Sequence, residues 1–348
     1  MRQAAAALLR PPFREDELTK LINDPRNYVD EMLDGLCLAH PGLVRVGDDR
    51  RAIARNAPAK AGKVGVVSGG GSGHLPLFTG YVGEGLLDAC AIGNVFEGPT
   101  INACQDAIAA ANGGAGVLCL FGNYGGDRMN FEMACEFADL EGIETRTVLG
   151  NDDIASASYE ERAKRRGVAG LIFAYKAAGA MAARGADLAG VADIAQRTVD
   201  RTRTVGVAVS PCLIPGAAAP SFTLGENEIE MGMGIHGEPG IWRKQMQPAD
   251  ALVDEMTDML LKERPQGATR VAVLVNSLGS TPFEELFILY RRLATRLGEA
   301  GLEIAQRLVG PYVTSMEMGG ASISLCFLDD EIEGLLSAPA DCPFWKVN

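Results

Sequence analysis

Histidine is scarce in this chain, with three in 348 residues, so any imidazole chemistry falls on His40, His74 or His236. No long basic run offsets a net charge of −13, from 45 acidic against 32 basic residues. That balance argues against nucleic acid and anionic membrane as partners. Eight cysteines are present, but none is in a C-x-x-C pair and most sit in apolar segments such as Val117 to Phe121. This is the pattern of buried, reduced thiols rather than of disulfides or zinc. Neither a Walker phosphate loop nor a spaced G-x-G-x-x-G occurs, which removes a nucleotide-dependent oxidoreductase from consideration. The start, MRQAAAALLRPPFRED, has a short apolar patch that two prolines break, with no proper cleavage context. A loose extension over residues 1–16 of a cytoplasmic protein is expected.

What the chain has in excess is glycine, 42 residues, clustered between apolar runs. With 47% apolar residues this describes a globular protein with tight strand-to-helix loops. The pattern predicts two short helices over 17–39, a strand at 63–68 emptying into a glycine-rich loop and then a helix, and a strand at 88–93. A helix over 99–111 follows, then a buried strand at 116–121, a helix over 129–140 and a strand at 145–149. Two alanine-rich helices fill 167–203. Strands at 204–210, 228–233, 270–276, 302–309 and 321–328 and helices over 248–262 and 281–297 follow. Thr281-Pro-Phe-Glu284 has capping-box spacing. The expected fold is α/β, in two lobes (17–202 and 203–348), each a mostly parallel or mixed sheet flanked by helices. A short internal echo pairs Asn123-Tyr-Gly-Gly126 with Asn276-Ser-Leu-Gly279, each after a strand and before a helix.

Three segments carry candidate chemistry. Ser68-Gly-Gly-Gly-Ser-Gly-His74 offers free backbone N–H groups to a small polar ligand, or is a plain tight turn. Asn123-Tyr-Gly-Gly-Asp127 follows a buried strand, where open sheets bind ligands; Asp127 is a general base or a helix cap. Met231-Gly-Met-Gly-Ile-His236-Gly-Glu-Pro-Gly240 sets a histidine among glycines, open to a base, metal-ligand, nucleophile or capping role. His40 reads as a helix-end residue. Asn151-Asp-Asp153 has no companion metal ligands at suitable spacing and reads as a helix N-terminus.

Together Ser-Gly-Gly-Gly-Ser-Gly-His74, Asn-Tyr-Gly-Gly-Asp127 with Asn130-Phe-Glu, Pro220-Ser-Phe-Thr-Leu and Gly234-Ile-His-Gly-Glu-Pro-Gly240 resemble the substrate-binding K subunit of dihydroxyacetone kinases. The resemblance implies a homodimeric α/β protein that holds a short-chain ketose as a hemiaminal on His236. It implies that Asp127 accepts the proton of the terminal hydroxyl and that His74 bonds the substrate and assists proton movement. Backbone contacts come from Gly71, Ser72 and Gly73. No metal or nucleotide is expected on this chain. ATP or ADP with Mg is expected on a partner L-type subunit, itself served by ATP directly or by a phosphotransferase-system donor. Two departures stand out: the family's glutamate after the loop histidine is Leu75, and the lysine before Asn-Tyr is Gly122. A wider, less cationic pocket would suit a four-carbon ketose, erythrulose, in place of dihydroxyacetone. The remaining alternative is a ketose sensor without turnover.

Overall fold

The computed structural model describes residues 20–348; the expected extension over 1–16 and the first residues of the opening helical stretch lie outside them. Among the described residues two six-stranded sheets carry the fold. The first orders its strands β1 (Leu43–Val46), β2 (Ala52–Arg55), β4 (Ala89–Val95), β3 (Gly65–Ser72), β5 (Val117–Gly122) and β6 (Thr145–Gly150). Its last four run parallel, while β1 and β2 are antiparallel additions. The second orders β11 (Glu303–Gly310), β10 (Arg270–Ser277), β12 (Gly319–Phe327), β7 (Thr202–Ser210), β8 (Glu228–Met231) and β9 (Trp242–Gln245). Only β10 and β11 are parallel there. This is the α/β architecture of two mixed sheets flanked by helices.

The alternation of side chains along each strand stacks these sheets into layers. Val271, Val273 and Val275 of β10 pack against α6 (Ala249–Leu261) and α7 (Phe283–Glu299). Ala272 and Leu274 point the other way, into a core shared with α4 (Leu171–Ala183) and α5 (Leu188–Asp200). In the first sheet Val67, Ala89 and Ala91 meet α2 (Ile101–Ala111) and α3 (Gly125–Leu140), while Val66, Cys90, Leu118 and Leu120 enter that same shared core. The helix α4, buried on nearly every side, is therefore squeezed between two sheets, which is why it is built largely of alanine. The remaining helices are α1 (Tyr28–Ala39) and α8 (Asp330–Leu336).

Several expectations need correction. The glycine run is not a loop: Gly69, Gly70 and Gly71 continue β3 and pair with Ala91, Ile92 and Gly93 of β4. Glycine is required because the neighbours fill the space of the missing side chains. A Cβ on Gly70 would lie 2.3 Å from the Phe78 ring, and one on Gly71 2.8 Å from the Glu97 nitrogen. Only a 3₁₀ turn, Thr79–Tyr81, stands where a helix was expected before β4. The first helical stretch resolves into a 3₁₀ turn, Pro25–Asn27, followed by α1, with His40 as C-cap. The capping box at Thr281 does not form, because its hydroxyl is drawn to the backbone of Gly320, 2.7 Å from the oxygen, and Pro282 becomes the N-cap of α7. No α-helix begins at Asn151-Asp-Asp153. Asp152 instead accepts from the N–H groups of Val168 and Gly170 at 2.9 and 2.8 Å, just before α4. α3 begins at Gly125, earlier than the periodicity predicts, so Asp127 falls inside its first turn. β1, β2, β9 and α8 are elements that apolar periodicity passes over. All eight cysteines are unbridged.

Candidate active site

Two parallel strands of the first sheet, β3 and β5, end side by side, and the chain segments leaving them meet two loops of the second half. Gly69, Gly70 and Gly71 of β3, His74 just beyond it, Gly122 at the end of β5, Tyr124 after β5, Asp127 in the first turn of α3, and Ile235 and His236 from the β8–β9 loop line one cavity. It is narrow, about 20 Å³, enough for about one water-sized group by volume. Larger clefts exist elsewhere, notably one beside His40 and Phe344, but they gather no comparable set of reactive side chains. Among the described residues no three potential metal ligands come together.

Three aromatic or imidazole rings, those of His74, Tyr124 and Phe96, pack around His236 at the centre. His74 and His236 lie 4.8 Å apart edge to face, Tyr124 packs 4.7 Å from His236, and Phe96 stacks on His74 at 5.0 Å. His236 is fixed by its own loop. Gly237 has φ +84°, which turns the chain back so that the Glu238 carboxylate accepts both the His236 backbone N–H and its Nδ1–H, each at 3.0 Å. Because the carboxylate only accepts, Nδ1 carries the proton and the lone pair of the neutral ring rests on Nε2. Burial alone would raise Glu238; the hydrogen bond from His236, its charge whenever that ring is protonated, and the Arg166 guanidinium hold it down at about 2. The Ser315 hydroxyl pins the loop from the other side by donating to the Ile235 carbonyl oxygen.

His74 is fully buried, and its Nδ1 lies 2.8 Å from the Thr314 carbonyl oxygen. A carbonyl accepts only, so Nδ1 is again the protonated nitrogen. Burial, reinforced by His236, pushes this imidazole down to about 3, so it is neutral at physiological pH. Its Nε2 is buried with no partner, as are the Tyr124 hydroxyl and the Ser72 hydroxyl. Buried polar atoms are normally satisfied, so a cavity lined by two such orphans, His74 Nε2 and the Tyr124 hydroxyl, has the character of one awaiting a polar ligand. Asp127 is pushed up to about 6 by burial, against the opposing pull of His236 and its own backbone N–H. It stays ionised at neutral pH but close enough to its midpoint to take a proton.

The expected site residues are thus brought together, with two exceptions. Ser72 and Gly73 flank the cavity rather than line it; Gly73 passes its carbonyl to the Met316 N–H at 2.7 Å. Gly122 lines the cavity without widening it, since the Tyr124 ring occupies the place of a side chain there: a Cβ on Gly122 would sit 3.0 Å from that ring. Leu75 is not among the lining residues. Asn123 and Asn276, the paired positions of the internal echo, both spend their side-chain amides on carbonyls of neighbouring loops, Asn123 on Ala163 and Arg165, Asn276 on Val313. Sequence reasoning passed over Glu238, Tyr124 and Arg166. The signal for Glu238 was its place two residues after His236 across a glycine.

The Dak1 domain model matches residues 34–344. The chain belongs to the Dak1 family. This Dak1 chain is 43% identical, over 95% of its length and all of the relative's, to the dihydroxyacetone-binding subunit DhaK of PTS-dependent dihydroxyacetone kinase 2 from Listeria innocua. It is 42% identical to the L-erythrulose kinase of Pectobacterium atrosepticum, over 94% of this chain but 56% of that one, so it spans little more than half of that relative. Among solved structures it matches the dihydroxyacetone kinase of C. freundii with TM-score 0.86 and 35% identity, over 94% of this chain and 60% of that one. It also matches the dihydroxyacetone kinase operon co-activator DhaQ with TM-score 0.86 and 32% identity, over 91% and 98%. No helix of the described Dak1 chain is long and apolar enough to cross a membrane.

Proposed function

We propose that this Dak1 chain binds a short-chain ketose covalently on His236 and presents its terminal hydroxyl for phosphorylation by a partner that carries the nucleotide. The observation that supports this most directly is the pairing of a Glu238-held imidazole, lone pair on Nε2, with a second histidine whose buried Nε2 has no partner. Nε2 of His236 forms a bond to the C2 carbonyl carbon as the π pair moves to oxygen, which takes a proton from water, and the hydroxide so formed leaves to solvent. The positive charge left on the ring lies against ionised Glu238. His74, neutral and with its Nε2 free, accepts a hydrogen bond from a substrate hydroxyl; it holds rather than protonates, since its midpoint near 3 leaves it no proton to give. Asp127 takes the proton of the terminal hydroxyl as that oxygen attacks the γ-phosphorus of ATP and ADP departs. Selection for an electrophilic carbon rejects glycerol, which has similar hydroxyls and no carbonyl.

The partner we propose is an L-type subunit with ATP or ADP and Mg, recharged either by ATP or by a phosphotransferase-system protein, and the chain itself is a homodimer. The substrate we propose is dihydroxyacetone. The Tyr124 ring fills the space that the absent side chain of Gly122 leaves, so that departure does not enlarge the site, which supports a three-carbon ketose over erythrulose. The test is carbon-13 NMR with dihydroxyacetone labelled at C2. The ketone signal moves to the sp³ region with the native chain and stays unmoved with His236→Ala; an equal shift in both would sink the covalent reading. With a cognate partner subunit, kcat/KM for dihydroxyacetone exceeds that for erythrulose, and the reverse ratio overturns the substrate assignment. Resemblance to a co-activator supports a second reading, a ketose sensor: capture without measurable phosphorylation in the presence of partner and ATP is its signature.

A further inference from the structure

Behind the His236–Glu238 pair stands an ion chain that the reaction as described does not use. Arg166 lies in the segment between β6 and α4, far from His236 in sequence. Its Nε donates to Asp153 at 2.9 Å, its Nη2 donates to the Gly232 carbonyl oxygen at 3.1 Å, and its Nη1 faces the Glu238 carboxylate at 3.8 Å. The guanidinium is well shielded, with 14% of its side chain exposed, and Asp153 is buried. Asp153 is itself tied to the same segment, since its N–H donates to the Arg166 carbonyl oxygen at 3.1 Å. A Cβ on Gly234 would lie 2.1 Å from Glu238 Oε2 and 2.5 Å from Arg166 Nη1. Gly234, two residues before the histidine, is therefore what lets the ion pair pass beneath the loop.

We propose that Arg166 is a positioning residue for His236: anchored by Asp153 in the first half, it holds Glu238 and the Gly232 carbonyl of the second half, so that the imidazole keeps its Nδ1–H form and its Nε2 stays free. The physical reason is that a carboxylate bonded to one histidine alone can swing to water or to another donor. A guanidinium fixed on its far side by a carboxylate and a carbonyl leaves it one place to be. The arrangement also ties the half that supplies Asp127 to the half that supplies His236. The groups facing Glu238 are His236, Arg166, Tyr124, His74 and, across the guanidinium, Asp153.

The inference concerns His236's tautomer and rests on the ketose reading only for its consequence, so the two can fail separately. With three histidines in the chain, nitrogen-15 NMR of histidine-labelled protein gives few ring signals, and His236→Ala assigns the one that matters. In the native chain that ring is in the Nδ1–H form. In Arg166→Ala it becomes a mixture of both forms, and the dissociation constant for C2-labelled dihydroxyacetone rises roughly tenfold to a hundredfold, the worth of a charge-assisted contact. Free guanidinium restores both. Arg166→Lys keeps a cation on Asp153 without the second arm, and falls between; it also serves if the alanine variant does not fold. An unchanged tautomer in either folded variant overturns the proposal, as does a loss of ketose affinity that guanidinium leaves uncorrected. If the native chain itself forms no adduct, the covalent reading falls while the tautomer measurement still decides the role of Arg166.

Discussion

The two carboxylates nearest the histidines are driven in opposite directions by their surroundings. Glu238 has a donor on each oxygen and a cation behind it, and is held down at about 2; Asp127 has burial and little else, and rises to about 6. No lysine or arginine lines the cavity to pull Asp127 back. A base must be ionised to work, so turnover with a partner subunit is near full a unit or more above Asp127's midpoint of about 6, is halved there, and falls further as pH drops below it. Introducing a cation by Gly122→Lys together with Tyr124→Ala, which clears the ring from that space, moves the acid limb lower, as a pH–rate profile would register. Asp127→Asn lowers turnover by about 10²- to 10⁴-fold while leaving the C2 adduct visible by NMR; loss of the adduct as well would mean that Asp127 serves binding. At this scale the sequence was informative where chemistry coincided with unusual local composition. His74, Asp127 and His236 all stand in glycine-rich surroundings. Arg166 sits in Ala-Lys-Arg-Arg-Gly, which nothing distinguishes from a solvated basic patch, and its role depends on a contact between halves that spacing cannot reveal.

Elements with side chains on a regular period were legible, and the one without side chains was not. The far end of β3 is glycine and serine, so neither alternation nor β-branching marks it as strand; its register is imposed by β4, by the rings of Phe78 and Phe131 and by the Phe96 backbone that press against its own. Tolerance to a methyl group differs sharply between glycines of this region. A Cβ on Gly93 would lie 1.9 Å from the Glu97 carbonyl oxygen, whereas one on Gly126, in the first turn of α3, meets nothing within 4 Å. Gly93→Ala is expected to cost about 1–3 kcal/mol or more through overpacking. Gly126→Ala is neutral or gains a few tenths to about 1 kcal/mol as the better helix former. Urea denaturation of the two variants side by side checks the contrast. β1, β2 and β9 are short and lack the clear alternation that marks β8, the other four-residue strand, so they do not separate from loops.

For the molecule as a whole, the division expected near residue 202 separates the two sheets, but not the packing: α4 and α5 share one core with strands of both. A second ion cluster reinforces that union. Arg165, almost wholly buried, donates twice to Glu263 at 2.8 and 2.6 Å, and Arg203 pairs with the same carboxylate at 2.8 Å. Removing the carboxylate strands two shielded guanidinium groups, so Glu263→Ala is expected to lower stability by about 3–5 kcal/mol, measured by urea titration with the denaturant slope unchanged. Periodicity could place the layers' elements but not their stacking, because the order of layers is written in which face of each strand meets which helix. The hairpin that holds His236 has a further, optical consequence. It closes at Trp242, paired with Met231 across β8 and β9, and the chain's other tryptophan, Trp345, is buried far along the chain against Tyr81 and Tyr312. Trp345→Phe would therefore leave a single indole at the foot of the nucleophile's loop, an emission signal native to the protein that reports directly on whatever that loop does when a ketose arrives.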